Sequence, residues 1–302
     1  MSSPFRAGFV AIVGRPNTGK STLVNALIGK KIVITSAHPN TTRNPIRGIL
    51  TRPDYQMVVV DTPGIHKPKT LLGSRLNEMV NQNLVSVDAA VLCLPADEAI
   101  GAGDEYIAKQ LEHIRNVYLV VTKIDRVGKD QIVAKLGEVA EFIAKTKLMV
   151  REVVPISAVE YTQVELLTEL LVNSLPESHA LYPDDITTDQ AAEMTLSELI
   201  REAAIQDVFE EVPHSIFVTI DEFDKRENKE FYDIHATIHV ERDSQKGIIL
   251  GARGSRLKEI GMQSRKSIEI FLGCKVFLGL HVKVSKDWQR DPKLLKRFGF
   301  TE

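Results

Sequence analysis

Short apolar segments alternate with amphipathic segments along the first 175 residues. The apolar segments predict β-strands at residues 8–13, 56–60, 89–94, 117–121 and 153–156. The segments between them have helical spacing and predict helices at residues 21–28, 75–85, 104–111 and 132–144. Buried strands that alternate with helices indicate an α/β domain with a mostly parallel sheet and helices on both faces. Ligands of such a sheet bind beyond the carboxyl ends of the strands.

The pattern changes after residue 175. Prolines and acidic residues follow, and we assign a domain at residues 1–175, a linker at 176–190 and a second domain at 191–302. The second domain is predicted to contain a helix at 196–209, strands at 215–221 and 232–241, helices at 247–250 and 256–271, and a strand at 275–285. A Gly-rich turn separates the last two helices. This order describes a smaller α+β domain.

Length and composition narrow the class of protein but do not identify its function. The 302 residues suit two domains, and 43% hydrophobic and 26% charged residues are average for a globular protein. We expect no membrane-spanning helix, because no apolar stretch reaches 18 residues, and the N-terminus shows no export signal. Cys93 and Cys274 lie in separate apolar segments and are predicted to be buried thiols in a reducing compartment.

Residues 14–21 match the pattern G-x-x-x-x-G-K-[ST] between a predicted strand and a predicted helix. Glycines let the backbone N–H groups and the helix N-terminus surround phosphates. Lys20 would reach the β- and γ-phosphates, and Ser21 would ligate Mg²⁺. A glycine turn that binds nothing is the plainer alternative, but the strand and helix on either side argue against it.

Two further segments contain residues that could detect whether the nucleotide carries a γ-phosphate. Asp61 begins a D-x-x-G sequence that ends at Gly64, and these residues can hold Mg²⁺ through water and contact the γ-phosphate. Thr42, in the long segment 32–47, would complete the metal shell only with GTP bound, although a simple capping threonine is the alternative. We assign metal binding to Ser21, Thr42 and Asp61, and catalysis to Lys20, Thr42 and Gly64.

Guanine specificity is predicted from two strand ends. The Asp125 carboxylate can accept both N1–H and the 2-amino group of guanine, with Lys123 packed along the base. The Ser157 and Ala158 backbone can contact O6. Thr122 stands where asparagine is usual, which predicts weaker nucleotide binding. The predicted nucleotide-binding residues are Gly14, Arg15, Pro16, Asn17, Thr18, Gly19, Lys20, Ser21, Thr22, Asp61, Thr62, Pro63, Gly64, Thr122, Lys123, Asp125, Ser157 and Ala158.

Isoleucine at position 65 has a catalytic consequence. Many GTPases place there a glutamine that orients the attacking water, and Ile65 cannot hydrogen-bond a water. We therefore expect slow intrinsic GTP hydrolysis. GTPases with an apolar residue here often use K⁺ near the phosphate-loop asparagine, which is Asn17 in this chain. The sequence thus predicts GTP or GDP with Mg²⁺ as ligands, and K⁺ as a candidate activator.

The second domain carries an RNA-binding pattern. Residues 242–298 contain 14 lysines and arginines against five acidic residues, although the chain as a whole has a net charge of −2. A G-x-x-G turn in this block can approach a nucleic-acid backbone, as in KH modules. A helix C-cap on a solvated basic face is the alternative. The predicted RNA-binding residues are Gly251, Ala252, Arg253, Gly254, Arg256 and Lys258.

Together with residues 41–43, 211–215, 245–250 and 260–261, these motifs make the chain resemble the bacterial Era family of GTPases along nearly its whole length. Thr18, where valine is more frequent, and Thr122 depart from the family pattern. The resemblance implies a type II KH domain that binds the 3′ end of small-subunit (16S) ribosomal RNA. It also implies a role in 16S rRNA processing and 30S subunit biogenesis, and a cytoplasmic monomer with a peripheral fraction at the cell membrane.

Two other functions compete with this one. A GTPase coupled to tRNA modification shares the segments around Asn17 and residues 41–43, but it would need a C-terminal cysteine or a folate-binding domain. An RNA chaperone with a non-essential nucleotide site is disfavoured by intact Lys20, Ser21, Asp61 and Asp125. We further hypothesise that GTP favours the RNA-binding state, because ordering of residues 32–47 changes a surface that the second domain can sense.

Overall fold

The computed structural model describes residues 4–35, 43, 45–65, 70–206, 208, 212–227 and 229–300. These residues form two compact units, with the main division between Asp189 and Gln190. The first unit contains a six-stranded sheet of β1 (Arg6–Val13), β2 (Ile46–Arg52), β3 (Tyr55–Asp61), β4 (Ala89–Pro95), β5 (Val117–Thr122) and β6 (Val150–Pro155). Its helices are α1 (Lys20–Ile28), α2 (Leu71–Leu84, which belongs to this unit from Leu76 onward), α3 (Ala102–Leu111), α4 (Lys129–Lys145) and α5 (Val164–Ser174).

The strand order of this sheet is β2-β3-β1-β4-β5-β6. All neighbouring strands are parallel except β2 and β3, which form an antiparallel hairpin. Alternate residues of β1 enter different apolar clusters. Val10 and Ile12 pack with α1 and α5, whereas Ala11 and Val13 pack with residues of α3 and α4. Helices therefore cover both faces, which confirms the predicted α/β fold.

The helices that follow β1 and β3 cover opposite faces of the sheet, because α1 packs in one apolar cluster and α2 in the other. One neighbour of β1 is β3 and the other is β4, so the strand order reverses at β1. A crevice opens at such a switch point beyond the carboxyl end of the strand. Cys93 on β4 is buried beside this point, and burial raises the pKa of its thiol to about 12. Cys274, predicted to be buried, is partly exposed.

The second unit contains the helices α6 (Ala192–Ile205), α7 (Val212–Ser215), α8 (Asp243–Leu250), α9 (Ser255–Leu272) and α10 (Pro292–Arg297). Its strands are β7 (Phe217–Lys225), β8 (Phe231–Val240) and β9 (Lys275–Val284), with β7 antiparallel and β9 parallel to β8. The α+β prediction is confirmed. Ser215 was predicted to begin a strand but ends α7, and its carbonyl accepts the indole N–H of buried Trp288 at 2.8 Å.

The segment predicted as a linker is fastened to the sheet of the first unit. Gln56 on β3 is buried, and its Oε1 accepts hydrogen bonds from the backbone N–H groups of Leu181 and Tyr182 at 2.6 and 2.9 Å. Next to the hairpin edge, the Ile49 N–H donates to the Thr187 carbonyl at 2.9 Å. The linker therefore follows the edge strand as added backbone pairing. Among the described residues, no helix is both long enough and apolar enough to cross a bilayer.

Candidate nucleotide site and RNA-binding surface

The phosphate loop connects β1 to α1 with backbone that favours glycine. Gly14 has a φ of 155° and Gly19 a φ of 89°. A Cβ at Gly14 would lie 2.7 Å from Thr18 Oγ1 and 2.9 Å from the Cys93 carbonyl oxygen, so a side chain does not fit there. Helix α1 begins at Lys20, immediately after the loop. The loop and the helix N-terminus form the anion-binding arrangement that the motif predicts.

Three predicted side chains meet behind this loop. The Lys20 ammonium is buried and donates to the Arg15 carbonyl at 2.7 Å. Burial lowers the pKa of Lys20, while the nearby Asp61 carboxylate opposes that change. The Ser21 hydroxyl donates to Asp61 Oδ2 at 3.0 Å. A hydroxyl and a carboxylate so placed are hard oxygen ligands that fit Mg²⁺. Thr42, the third predicted ligand, lies outside the described residues.

The D-x-x-G segment runs directly against the phosphate loop. Thr62 donates its hydroxyl hydrogen to the Ile12 carbonyl at 2.7 Å. A Cβ on Gly64 would lie 2.8 Å from the Pro16 nitrogen, so glycine is required for this approach. Ile65 is 2% exposed and its side chain belongs to the apolar core. The side chain at this position is thus directed into the core, which agrees with the expectation that it orients no water.

The guanine loop is joined to the phosphate loop by Thr122. Its hydroxyl donates to the Thr18 carbonyl at 2.6 Å in a buried hydrogen bond. The Thr122 hydroxyl therefore links the guanine loop to the phosphate loop. Across the loop, the Ser157 hydroxyl donates to Asp125 Oδ1 at 2.7 Å and orients the carboxylate predicted to bind guanine. The Ile124 N–H donates to the Ile156 carbonyl at 3.3 Å and joins the two strand ends.

Two predicted nucleotide-binding side chains have protein partners of their own. The Arg15 guanidinium is directed to Asp104 at the start of α3, with Nε 2.9 Å from Oδ1. Lys123 has a φ of 60°, and its ammonium lies 3.5 Å from Glu98 Oε1. Sequence reasoning missed Glu98 and Asp104, because neither belongs to a motif and both are distant in sequence from their partners. The backbone of Arg15 remains part of the phosphate loop.

The predicted G-x-x-G turn lies between α8 and α9. Gly251 and Gly254 have φ of 69° and 78°, and a Cβ on Gly251 would lie 2.9 Å from the Arg256 nitrogen. Arg253 and Lys258 are exposed. The Arg256 guanidinium has partners within the unit, the Glu259 carboxylate at 3.4 Å and the Gln206 carbonyl. Among the six predicted RNA-binding residues, Arg253 and Lys258 thus carry the cations that face water at this turn.

A groove of about 920 Å³ lies beside the turn, between α9 and the edge strand β9. Its lining combines Gly254 and Lys258 with Arg265, Met262 and Phe277. Met262 and Phe277 are 54% and 46% exposed, which is high for large apolar side chains. Sequence reasoning missed Phe277. Its alternation on β9 with buried Val276 could have indicated that its side chain is exposed.

Family models match both units. The model described as "50S ribosome-binding GTPase" matches residues 9–123, and the KH domain model matches residues 211–289. GTPase Era of Mycolicibacterium smegmatis is 51% identical over 300 residues, covering 98% of this chain and 99% of the relative. GTPase Era of Mycobacterium tuberculosis strain H37Rv is 51% identical over 301 residues with the same coverage. The chain belongs to the Era family of GTPases.

Solved structures agree with this assignment. The crystal structure of Era in complex with MgGDPNP and nucleotides 1506–1542 of 16S ribosomal RNA has a TM-score of 0.93. It is 36% identical, and the match covers 99% of this chain and 100% of that one. A variant of Aquifex aeolicus Era bound to GDP and AlF4⁻ has a TM-score of 0.92 at the same identity and coverage. The protein is therefore a GTP-binding and GTP-hydrolysing enzyme with a KH domain.

Proposed function

We propose that the protein is a GTP-controlled switch that binds the 3′ end of 16S ribosomal RNA. In this role it would assist 16S rRNA processing and 30S subunit biogenesis. The observation that carries the proposal is the groove beside the G-x-x-G turn, which offers cations and exposed apolar side chains along one path. The RNA-bound Era structure, which matches nearly the whole chain, supports the choice of RNA.

The chemistry of the groove favours single-stranded RNA. Unpaired bases expose faces that stack on aromatic side chains, and Phe277 offers such a ring at the groove wall. The exposed Arg253 and Lys258 lie at the turn, where phosphates would approach the glycine backbone. The groove thus separates a surface for bases from a surface for the backbone.

Residues of the phosphate loop would carry out the switch reaction. Bound Mg²⁺ would neutralise charge on the β- and γ-phosphates, held by the Ser21 hydroxyl and, through water, by Asp61. The Lys20 ammonium would exchange the Arg15 carbonyl for phosphate oxygens. The Gly64 N–H would donate to the γ-phosphate. Loss of that phosphate removes this contact, so the D-x-x-G segment can report the nucleotide state.

An RNA titration tests the binding function. Affinity for an RNA that ends in the small-subunit 3′ sequence is compared with a scrambled RNA, with a non-hydrolysable GTP analogue and with GDP, at one salt concentration. We expect tighter binding of the native sequence with the GTP analogue. The F277A variant should lose about tenfold in affinity, because stacking contributes roughly 1–3 kcal/mol per base.

F271A is the matched control, since Phe271 is a partly exposed phenylalanine of α9 outside the groove lining. Equal, salt-sensitive binding of both RNAs by wild type and F277A would contradict the proposal. Full RNA-dependent function of a K20A variant would instead favour an RNA chaperone with a non-essential nucleotide site.

We also propose K⁺ activation of GTP hydrolysis. Asn17 is exposed in the phosphate loop with a φ of 63°, and buried Ile65 leaves the reaction without a glutamine at that position. Hydrolysis should be faster in K⁺ than in Na⁺ for the wild type, and N17A should remove the difference. Equal rates in both salts would refute this step.

The cellular location is a separate proposal. We place the protein in the cytoplasm, with a peripheral fraction at the cell membrane through the basic residues 286–297. Flotation with phosphatidylserine vesicles at physiological salt measures this fraction. Absence of vesicle binding would refute the membrane fraction, and the basic residues 286–297 would then be assigned to RNA binding.

A further inference from the structure

We propose that three carboxylates following β4 hold the phosphate loop and the guanine loop in position for the nucleotide. They are Asp97, Glu98 and Asp104, and they act through Arg15 and Lys123. None of the three is a catalytic residue, because each acts through a residue of a nucleotide-binding loop. The proposal concerns nucleotide binding by the first unit and does not depend on the RNA function.

The first half of this device fixes Arg15. Its Nε donates to Asp104 Oδ1 at 2.9 Å, and its Nη2 donates to the Ala99 carbonyl at 3.2 Å. Nη2 also lies 3.4 Å from Glu98 Oε2. A Cβ on Gly103 would lie 2.8 Å from Arg15 Cδ, so the missing side chain leaves room for the arginine stem. One guanidinium thus joins the phosphate loop to the loop before α3.

Asp104 is the fixed point of that contact. It is 0% exposed, and its Oδ2 accepts the Gly101 N–H at 3.0 Å, which caps the start of α3. A buried carboxylate is costly unless a cation and hydrogen-bond donors compensate it. Arg15 provides the cation, so the position of its side chain is strongly determined.

The second half fixes Lys123 in the guanine loop. Its ammonium lies 3.6 Å from Asp97 Oδ1 and 3.5 Å from Glu98 Oε1. The two oxygens of Glu98 therefore face different loops, with Oε1 toward Lys123 and Oε2 toward Arg15. Glu98 is the group that both loops share.

Helix α4 supports the segment from behind. The ammonium of buried Lys135 donates to the Glu98 carbonyl at 2.6 Å and pairs with Glu138 Oε2 at 2.8 Å. Glu138 Oε1 accepts the Ile100 N–H at 2.6 Å. Because these hydrogen bonds fix the backbone at Glu98 and Ile100, the carboxylates of Asp97 and Glu98 project from a rigid backbone.

The expected effect is preorganisation. Loops that already hold their binding geometry lose less conformational entropy when a ligand binds. Arg15 belongs to the phosphate loop and Lys123 to the guanine loop, so the two halves of the device should affect different parts of the nucleotide. GDP contacts both loops, whereas guanosine lacks phosphates and relies on the guanine loop.

The test measures dissociation constants of GDP and guanosine for D104N, D97N and E98Q by competition with fluorescent GDP. D104N should weaken GDP about tenfold and leave guanosine unchanged. D97N should weaken both ligands by the same factor of about two, since its ion pair is partly exposed. E98Q should weaken both, and GDP more than guanosine.

E105Q is the matched control. Glu105 is an exposed carboxylate in the same first turn of α3, and we expect no change in either constant. For D104N and E98Q, the ratio of the two constants separates positioning of the loops from general destabilisation, which would lower both affinities equally. Equal loss of GDP and guanosine in D104N would overturn the proposal. If D104N fails to fold, E98Q provides the test, because Glu98 is partly exposed and its substitution should be tolerated. Wild-type affinities of E98Q for GDP and guanosine would then overturn the proposal.

Discussion

The Thr122 hydroxyl makes a buried link between the two nucleotide-binding loops. It donates to the Thr18 carbonyl at 2.6 Å, and that carbonyl belongs to the phosphate loop. T122V keeps the shape of the side chain and leaves the carbonyl without this donor, at a cost of about 1–3 kcal/mol. We expect GDP to dissociate about tenfold faster from T122V, measured by stopped-flow release of fluorescent GDP.

T122S retains the hydroxyl and is the control, with release expected close to that of the wild type. T122N tests whether the usual asparagine improves on threonine. Wild-type release from T122V would show that the hydroxyl contributes nothing to nucleotide retention.

His239 makes the stability of the second unit depend on pH. Burial, helped by the positive charge of Lys283, lowers the pKa of His239 to about 4, and Asp221 opposes this change. The unfolded chain binds a proton at pH values below about 6.5, whereas the folded chain binds it only near pH 4. Stability from this group is therefore present above pH 6.5 and is lost as the pH falls toward 4. The maximum loss is about 3 kcal/mol.

Urea unfolding between pH 7 and pH 5 measures this effect. The chain has one tryptophan, Trp288, and it is buried in the second unit, so its fluorescence reports unfolding there. H239Q can retain a hydrogen bond to Thr219 or Ser285, which now bond the ring at 3.1 and 2.9 Å. We expect a flatter pH profile for H239Q. An unchanged slope would exclude His239 as the cause.

The proximity of the motif residues could be predicted from the sequence, because each motif follows a strand of the parallel sheet. Lys20, Ser21 and Asp61 meet where β1 and β3 end, and parallel strands end at one edge. Glu98 and Asp104 carry no pattern, and their contacts with Arg15 depend on where α3 begins. A sequence contains no local signal for that placement.

At the scale of elements, apolar content decided which strands could be predicted. Strands β1, β3, β4 and β5 are almost wholly buried and read as continuous apolar runs. Edge strand β2 includes exposed Arg47 and Arg52 as well as Gly48, so its pattern is broken. Docking of the linker was not predictable, because backbone pairing leaves little trace in side-chain types.

Gln56 is the side chain that attaches the linker. Its Oε1 accepts from Leu181 and Tyr182, and its Nε2 donates to the Tyr182 carbonyl at 2.9 Å. Q56L keeps the volume of the side chain and removes these hydrogen bonds. The backbone groups of Leu181 and Tyr182 can then hydrogen-bond only with water, so the linker should detach more readily from the sheet. We expect about 1–3 kcal/mol lower stability and faster amide exchange at residues 181 and 182, measured by hydrogen–deuterium exchange.

R47A is the contrasting variant. The Arg47–Asp189 ion pair, at 3.0 Å, is partly exposed and should contribute less than about 1 kcal/mol. Equal exchange rates in wild type and Q56L would mean that the β2 edge alone holds the linker.

For the whole molecule, the attached linker changes where the first unit ends. The sequence places that end at residue 175, but hydrogen bonds to the sheet continue through residues 176–188, for example from Ala7 N–H to the Pro176 carbonyl at 3.1 Å. A chain of residues 1–189 should therefore bind GDP as tightly as the full protein. A chain of residues 1–175 exposes buried Gln56 and the hairpin edge to water.

We expect the shorter chain to unfold at a lower urea concentration, measured by circular dichroism. The expected loss of stability is about 2–4 kcal/mol, because several hydrogen bonds between the linker and the sheet are removed. Its GDP affinity should fall less than its stability, because the phosphate and guanine loops lie at the other strand ends. A 1–175 chain carrying Q56L is the control: without the linker, Gln56 has no backbone to bind, so the substitution should no longer destabilise. Equal unfolding midpoints for the 1–175 and 1–189 chains would place the end of the unit at residue 175, as the sequence alone predicts.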